Sequence, residues 1–429
     1  MLKAIKPQAS DRAPLTDPES IADELLMNND FRFHEGTFFI FDEEAKTWNP
    51  ATIDAIKRLI LYELPGQYNL TKVQAILEIL RLKSSISPMV QPADTIVFRN
   101  GMLQWKTGIF REFSKQDFVV NPLQVDYLPG ARCPRFNTFL DEIFEGDQDK
   151  PDKIEMLKQF FGLVLTKDTS FQKAMLFIGS GSNGKSVLLN LLESLFGDNN
   201  ISKLELSQLG NAFHVGALQN KYLNIATEIN ARDRFSESLF KSIVAGETCF
   251  ADRKFQDPYQ FKPFARLIFA SNSLPYSSDT TFAFYRRWLI MKFNRTFSPQ
   301  HQDRALPEKL TRELSGIVNW ALAGLRSLHE QNYFTEPASH IDTLKFFEFS
   351  NNNVSVFVDE MIEEEPGASI LFSELYRSYQ SFCGDGNYRA KSKLNFKTEL
   401  LNLIPGARFY TGEGQRKFQN IRLATLPLE

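Results

Sequence analysis

Short apolar segments alternate with helical segments through the middle of the chain. Helical spacing of leucine, isoleucine and valine covers 185–196 and 236–245, and each stretch lies between two apolar runs of buried-strand length. The runs AMLFIG, YLNIA, ARLIFAS and WLIMKF begin at Ala174, Tyr222, Ala265 and Trp288. This alternation predicts an α/β domain with a largely parallel sheet.

The segments before this domain mix helical and strand patterns. Leucine and isoleucine recur at spacings of three and four near 51–63 and 71–83, which predicts two helices, and a longer helical block covers about 136–166. Aromatic residues between turn residues predict a small hairpin around 30–50 and short strands over 96–114. The first twenty residues are polar, contain three prolines and are expected to form a flexible arm.

The C-terminal segment has a pattern of its own. An acidic patch at 359–365 is followed by a predicted helix, LFSELYRSYQSFC, and by a hairpin pattern, FYTGEGQRKFQNIRL. A helix that leads into a basic hairpin is typical of a winged helix. We therefore expect a winged-helix-like basic domain over 345–429, which binds either duplex DNA or another protein.

Composition excludes several classes of protein. The 429 residues, of which 43% are hydrophobic and 24% charged, suffice for two to four globular domains. No run approaches the roughly 18 apolar residues of a transmembrane helix, and the N-terminus lacks the apolar core of a signal peptide. The three cysteines lie more than a hundred residues apart, so no zinc cluster is expected. These features favour a cytoplasmic protein without a membrane partner.

The strongest motif joins the first apolar run to the helix that follows it. Backbone N–H groups of a glycine-rich turn surround a β-phosphate, and the helix N-terminus adds partial positive charge. Lys185 is placed to reach the β- and γ-phosphates, and the Ser186 hydroxyl to bind Mg²⁺. The motif, which fits G-x-x-x-x-G-K-S/T, consists of Gly179, Ser180, Gly181, Ser182, Asn183, Gly184, Lys185 and Ser186.

Polar residues next to three later strands extend the candidate site. Glu228 follows YLNIAT, where a P-loop ATPase places the acid that orients the attacking water; the alternative is a strand-end charge. Asn272 ends the run ARLIFASN, where a polar side chain can reach between the γ-phosphate and the attacking water. The alternative is that this asparagine only forms a turn before Leu-Pro. Arg286 and Arg287 precede WLIMKF and are either an arginine finger acting across a subunit interface or solvated charge.

These four elements, in this order, resemble the superfamily 3 helicases, specifically the phage, plasmid and poxvirus-type primase–helicases. LFKSIVAGETCFADRKFQDPYQFKPFARLIFASNSLP is similar to their signature block and FYRRWLIMKF to their finger region, and the likeness covers about 96–295 well. The resemblance implies an AAA+-like P-loop NTPase that uses ATP and Mg²⁺. It further implies a homo-hexameric ring that encircles single-stranded DNA and moves along it 3′ to 5′. If a phage or virus encodes the protein, the resemblance implies that it acts in the host cytoplasm.

The resemblance also assigns roles to individual residues. Thr227 is a departure, because many P-loop ATPases have a second carboxylate there, so one acid must serve both the metal and the water. The implied roles are Lys185 and Ser186 as the Walker A pair, Glu228 as the Walker B acid and metal ligand with Ser186, Asn272 as the sensor, and Arg286 or Arg287 as the finger.

The resemblance divides the chain into parts. We expect an α/β fold whose AAA+-like core follows a mixed and helical domain and precedes the winged-helix-like domain. Neither a cysteine cluster nor a pair of metal-binding acids for a primase precedes the motor. The chain is therefore either a helicase alone or the C-terminal part of a longer primase–helicase, with a primase or polymerase domain in cis or in trans. The expected parts are a flexible arm (1–20), an N-terminal mixed α/β domain (21–135), a helical collar-like segment (136–170), the motor (171–335) and the basic domain (345–429).

Basic segments are the candidate DNA contacts. In the hairpin ADRKFQDPYQFKPF, which resembles the family's channel-lining hairpin, Arg253 and Lys254 are expected to follow phosphates, and Phe255 or Tyr259 to contact bases. The alternative is a solvated hairpin whose aromatic residues fold into the core. The net charge of −3 hides eight Lys/Arg against three Asp over 251–295, and eight Lys/Arg against two Glu over 388–422. We therefore expect binding to single-stranded and forked DNA that depends strongly on salt.

Three functional hypotheses follow. The leading one is an ATP-dependent DNA helicase in phage, viral or plasmid replication. The alternative is a replication initiator or loader that binds DNA and uses ATP without processive unwinding. A P-loop kinase of small molecules is disfavoured, because it would need neither a finger in trans nor two basic DNA-binding modules.

Overall fold

The N-terminal part is a small sheet packed against three helices. The computed structural model describes residues 17–424 except 35, 65–68, 87–93, 228, 230–234, 253–256, 278, 299, 301–302, 387–389 and 413. The elements are α1 (Pro18–Asn28), the antiparallel strands β1 (Phe31–His34), β2 (Thr37–Asp42) and β3 (Thr47–Ala51), α2 (Ile53–Tyr62) and α3 (Leu70–Ser84). The prediction of a single hairpin was wrong, because β3 adds a third strand. That strand contains Pro50, which an edge position tolerates.

A second antiparallel sheet and two helices lead to the central domain. The strands β4 (Thr95–Phe98), β5 (Gly101–Gln104) and β6 (Ile109–Arg111) are joined by the predicted turns at Asn100-Gly101 and Thr107-Gly108. The predicted helical block is two helices, α4 (Pro134–Ile143) and α5 (Lys150–Val164). The chain breaks between them at Gly146, whose φ of 87° a helix cannot accommodate.

The central sheet has five parallel strands in the spatial order β13-β7-β12-β9-β8. This confirms the predicted α/β class and the largely parallel sheet. All four predicted apolar runs are strands of the sheet, and β8 is an additional two-residue strand. The elements are β7 (Ala174–Ile178), α6 (Lys185–Phe196), β8 (Ile201–Ser202), α7 (Ala212–Val215), β9 (Leu223–Ala226), α8 (Glu237–Ala245), β10 (Cys249–Ala251), β11 (Tyr259–Phe261), β12 (Arg266–Ser271), α9 (Phe282–Tyr285) and β13 (Trp288–Lys292).

Helices cover both faces of this sheet, which is why its strands are apolar on both sides. Met175 and Phe177 of β7 pack against α6 and against α11 (Leu314–Gln331), which follows α10 (Leu306–Thr311). The opposite face packs against α8 and α12 (Ala338–Asn351). There the fully buried Trp288 stacks on Phe240, with 4.6 Å between ring centroids.

Two buried polar groups fasten β13 to its surroundings. The ammonium of Lys153 on α5, only 1% exposed, donates to Asp147 Oδ2 at 2.7 Å and to the carbonyl of Lys292 at 3.0 Å. On the other face, Nδ1 of His340 accepts a hydrogen bond from the Ile290 N–H at 3.0 Å. The middle of the strand and its C-terminal end are therefore tied to helices outside the sheet.

The C-terminal part combines three helices with a three-stranded antiparallel sheet. Glu363 of the acidic patch lies in β14, a strand that was not predicted, and pairs with Arg422 at 2.6 Å. No helix in the described part of the chain is both long and apolar enough to span a bilayer. The elements are α13 (Asn353–Met361), β14 (Ile362–Leu371), α14 (Phe372–Asp385), α15 (Lys393–Leu403), β15 (Arg408–Gly412) and β16 (Gln415–Leu423), with the strand order β14-β16-β15.

Candidate nucleotide site

The glycine-rich motif forms a tight loop between β7 and α6. Gly181, Ser182 and Gly184 have positive φ values of 104°, 48° and 92°. Successive left-handed residues turn backbone N–H groups toward one concave surface, which suits an anion. The loop is held from both sides, because the Gly179 N–H donates to the Ser271 carbonyl at 3.2 Å and the Phe297 N–H donates to the Ser182 carbonyl at 2.8 Å.

Gly184 is required for two separate reasons. Its φ lies in the left-handed region, which side chains other than glycine adopt at a cost. A Cβ at this position would also lie 2.6 Å from Cγ2 of Ile143 on α4. The close approach of α4 to the loop therefore depends on this glycine.

Lys185 is the first residue of α6 and is 8% exposed. Its ammonium folds back and donates to the Gly179 carbonyl. Burial lowers the pKa of Lys185, because the charged form loses hydration. A phosphate group is the natural partner for a cation held in this way at a helix N-terminus.

The loop opens into a cavity of about 1310 Å³ at the carboxyl ends of the parallel strands. The exposed Ser186 lines it, as do Thr227 beyond β9 and Asn272 beyond β12. The structure thus brings the loop and Asn272 together. Glu228, the predicted acid beside Thr227, lies outside the described residues. The lining comprises Arg135, Phe139, Glu142, Gly181–Val187, Glu205, Thr227, Ile229, Ser271–Ser273, Arg295, Phe297, Asp303, Arg304, Leu306 and Pro307.

Several lining residues were not predicted from the sequence. Arg135 on α4 donates from Nη2 to Glu142 at 3.1 Å, and its buried Nη1 has no hydrogen-bond partner in the described part of the chain. The Arg295 guanidinium donates to the Glu142 carbonyl at 2.6 Å and lies 4.7 Å from the Phe297 ring centroid. Arg295 lies three residues beyond the end of β13. Like Asn272, it could have been found from the sequence as a polar residue that follows an apolar strand. Arg135 has no comparable signal, because only tertiary packing of α4 places it here.

The two candidate finger arginines lie at the amino ends of the parallel strands, on the side of the sheet away from the cavity. Here β13 begins beside the start of β7. They do not line the cavity of their own chain. Arg286 is exposed and donates to Gln172 Oε1 at 2.9 Å. Arg287 is 7% exposed and donates from Nη1 to the Ala283 carbonyl. Of the two, only Arg286 presents its guanidinium to solvent.

The predicted DNA-contacting hairpin is described only at its base. β10 and β11 pair antiparallel from Cys249↔Phe261 to Ala251↔Tyr259. Arg253, Lys254 and Phe255 lie outside the described residues. Tyr259 is partly buried against the core cluster beneath the sheet, as expected for an aromatic residue folded into the core.

The cavity contains oxygen donors of the kind that Mg²⁺ uses beside bound phosphates. Ser186 and Thr227 offer hydroxyl groups and Glu205 a carboxylate. Among the described residues no group of three or more His, Cys, Asp and Glu side chains could enclose a metal ion. Mg²⁺ is commonly held by one or two carboxylates together with substrate phosphates, so these donors fit it.

Three protein families match successive parts of the chain. The family described as "D5 N terminal like" matches residues 21–145, a family of unknown function (DUF5906) matches residues 177–287, and the family described as "Poxvirus D5 protein-like" matches residues 350–422. The D5 families therefore match on both sides of the central sheet.

Similar proteins agree with these matches. A candidate helicase of Acanthamoeba polyphaga mimivirus is 26% identical over 47% of this chain and 22% of its own length. A candidate helicase of Invertebrate iridescent virus 6 is 22% identical over 66% of this chain and 32% of its own length. The chain thus spans less than a third of each viral relative. The likeness to poxvirus-type primase–helicases is confirmed at the level of the family.

A solved structure shares the fold. The apo structure of the NrS-1 C-terminal region superposes with a TM-score of 0.54, covering 95% of this chain and all of that chain. The two sequences are 14% identical. At this identity the match establishes a common fold.

Proposed function

We propose that this relative of the D5-type viral helicases is an ATP-dependent DNA helicase, which translocates on single-stranded DNA as a ring in phage, viral or plasmid replication. One observation carries the proposal. A phosphate loop with its lysine, and Asn272 from a neighbouring strand, line one cavity at the carboxyl edge of a five-stranded parallel sheet. The strand order supports an AAA+-like core, and the candidate viral helicases are relatives of this chain.

In this proposal each element of the cavity has a chemical task. Lys185 and the loop N–H groups hold the β- and γ-phosphates of ATP, and Asn272 contacts the γ-phosphate and the attacking water. Glu228 orients that water. Ser186 and Glu228 would hold Mg²⁺, which neutralises charge on the phosphates when it is bound. The lysine leaves the Gly179 carbonyl when a phosphate replaces that weaker partner.

In this proposal a cation stabilises the charge of the transition state. Arg286 and Arg287 do not line the cavity of their own chain, so a neighbouring chain must supply the arginine finger. Arg286 is exposed at the opposite edge of the sheet, where it can face a neighbouring copy. A homo-hexameric ring would place this edge against the neighbour's cavity. An arginine supplied in trans contributes about 10³–10⁵ in rate.

DNA contacts are assigned to two basic modules. The tip of the β10–β11 hairpin, with Arg253, Lys254 and Phe255, would contact the single strand in the ring channel. The C-terminal order α13-β14-α14-α15-β15-β16 is that of a winged helix, which would contact the duplex at the fork. A primase or polymerase domain in cis or in trans is the expected functional partner.

Strand displacement tests the proposal directly. ATP hydrolysis should be measured with and without single-stranded DNA at low salt, beside unwinding of a forked duplex. We expect DNA to stimulate hydrolysis and the fork to be unwound. Lys254→Ala should reduce unwinding and leave most of the ATPase. If single-stranded DNA neither binds nor stimulates hydrolysis, the helicase proposal fails.

The alternative is a replication initiator or loader, which the winged-helix order of the C-terminal part favours. Such a protein would bind duplex DNA and assemble with ATP, but would not displace a strand. Footprinting of the full chain on duplex DNA, with and without ATP, separates it from a helicase when combined with the unwinding assay.

A further inference from the structure

We propose that Glu205 supplies the second carboxylate of the nucleotide site, in place of the acid that Thr227 replaces. This inference rests on the proposed function, because it concerns the same ATP and Mg²⁺. Glu205 follows β8, the strand that pairs in parallel with β9, and it lines the cavity together with Thr227. It therefore lies three residues beyond the end of the strand that neighbours β9.

The backbone that carries Glu205 is fixed by a buried amide. Asn224 on β9 is fully buried; its Oδ1 accepts from the Leu204 N–H at 2.8 Å and its Nδ2 donates to the Leu204 carbonyl at 2.8 Å. On the other side, the Glu205 N–H donates to Gln208 Oε1 at 2.9 Å. Two side chains thus hold the backbone immediately before and at Glu205. Its own carboxylate is exposed in the cavity and faces the Gln208 N–H in a capping box, which further restricts its position.

The other acidic side chains of the cavity already have cationic partners. Glu142 accepts from Arg135 at 3.1 Å, and Asp303 accepts from Lys309 at 2.8 Å. No ion pair joins Glu205 to a cation in the described ranges of the chain. Of the described carboxylates that line the cavity, Glu205 is the one whose charge is not already paired.

A second carboxylate in the cavity that Thr227 lines would supply the acid that this position lacks. With Glu228 alone, one acid must serve the metal and orient the water. Water molecules on Mg²⁺ need hydrogen-bond acceptors, and Glu205 offers one from a rigid position. Glu205 is then a positioning residue for Mg²⁺, and Glu228 is left to act on the attacking water.

The test is the Mg²⁺ dependence of nucleotide binding, measured with a fluorescent non-hydrolysable ATP analogue and the full chain. Glu205→Gln keeps the shape of the side chain and removes its charge. We expect the apparent Mg²⁺ affinity of the nucleotide complex to fall about 10-fold, the lower end of the effect of outer-shell partners. Binding of the analogue in EDTA should not change. Glu330→Gln, an exposed acid on α11, is the matched control.

The outcomes separate this inference from the function on which it rests. If Glu205→Gln and Glu330→Gln both show the wild-type Mg²⁺ dependence, Glu205 has no such role although the nucleotide site stands. If the wild-type chain binds no analogue, the proposed function fails first. Glu205→Ala guards against an effect of the glutamine amide, and thermal melting confirms that each variant is folded. Equal losses of binding in EDTA and in Mg²⁺ would indicate a structural role and overturn the proposal.

Discussion

Lys185 carries a charge that the folded protein partly buries before any phosphate arrives. Its ammonium has the Gly179 carbonyl as partner, and burial lowers its pKa. We expect Lys185→Ala to abolish ATP hydrolysis and nucleotide binding without lowering the melting temperature, since a partly dehydrated charge is removed. Hydrolysis assays and thermal melts check this, with the exposed Lys345→Ala on α12 as control. Full hydrolysis by Lys185→Ala would remove the phosphate-loop assignment.

Of the adjacent arginines, Arg286 should be needed for ATP hydrolysis and Arg287 for stability. Arg286→Ala should abolish hydrolysis and leave nucleotide binding intact, because its guanidinium acts on a neighbour. Mixed oligomers of Arg286→Ala with a Lys185→Ala chain should regain activity, since each supplies what the other lacks. Nucleotide titration and hydrolysis by mixtures are the measurements. Absence of rescue at every mixing ratio would argue against a finger in trans.

Arg287→Ala should instead act on stability. The side chain is 7% exposed and donates to the Ala283 carbonyl, so its removal leaves a space and an unpaired acceptor. We expect a loss of about 1–3 kcal/mol in the free energy of unfolding. Urea denaturation measures this loss. An unchanged midpoint would show that the buried guanidinium makes no net contribution to the free energy of unfolding.

At the scale of elements, β13 depends on the protonation state of His340. Burial lowers the pKa of His340 to about 4, with Lys173 adding to the effect and Glu336 opposing it. The unfolded chain, with a pKa near 6.5, therefore binds the proton more readily than the folded one. The neutral ring also accepts the Ile290 N–H. Stability from this group is complete above about pH 6.5 and is lost as the pH falls toward 4.

We therefore expect the urea midpoint to fall between pH 6.5 and pH 4 in the wild-type chain. His340→Gln, which retains an acceptor oxygen but does not titrate, should show a flatter profile over this interval. A profile with the same slope in both proteins would place the acid sensitivity in other groups.

The elements that the sequence predicted best are those whose burial is uniform. AMLFIG and WLIMKF are covered by helices on both faces, so all their positions except Lys292 are apolar or glycine and the runs stand out. β8 was missed because it has two residues, and β14 because most of its side chains are exposed. Glu205 was missed with β8, since no strand signal precedes it. Residues brought to the cavity by helix packing, such as Arg135, leave no pattern along the chain.

At the scale of the whole molecule, some basic side chains are paired with acids and others are not. In the C-terminal part, Lys393 and Lys397 of α15 lie over aromatic rings, at 5.5 Å from Tyr376 and 5.0 Å from Phe409, and neither forms an ion pair with a described acidic residue. Arg422 and Lys391, in contrast, pair with glutamates. The ammonium groups of Lys393 and Lys397 are therefore available to phosphates.

Affinity for DNA should therefore fall steeply with salt although the whole chain is acidic. A plot of log affinity against log salt should be linear, and Lys393→Ala and Lys397→Ala should each reduce its slope on duplex DNA by about 1. Fluorescence anisotropy at several salt concentrations measures the slope. Lys345→Ala should leave it unchanged, and a slope near zero in the wild-type chain would exclude phosphate contacts.

The buried ammonium of Lys153 lies where three segments of the chain meet. It binds Asp147 and the last carbonyl of β13, Asp147 also accepts from Asn294 at 2.8 Å, and Asp149 accepts from the Ser339 N–H at 2.7 Å. One cation thus secures the junction of α5, β13 and the start of α12. Lys153 is the shared counter-charge of Asp147 at 2.7 Å and Asp149 at 3.7 Å, so its removal would leave two largely buried carboxylates close together and weaken all three segments at the same time.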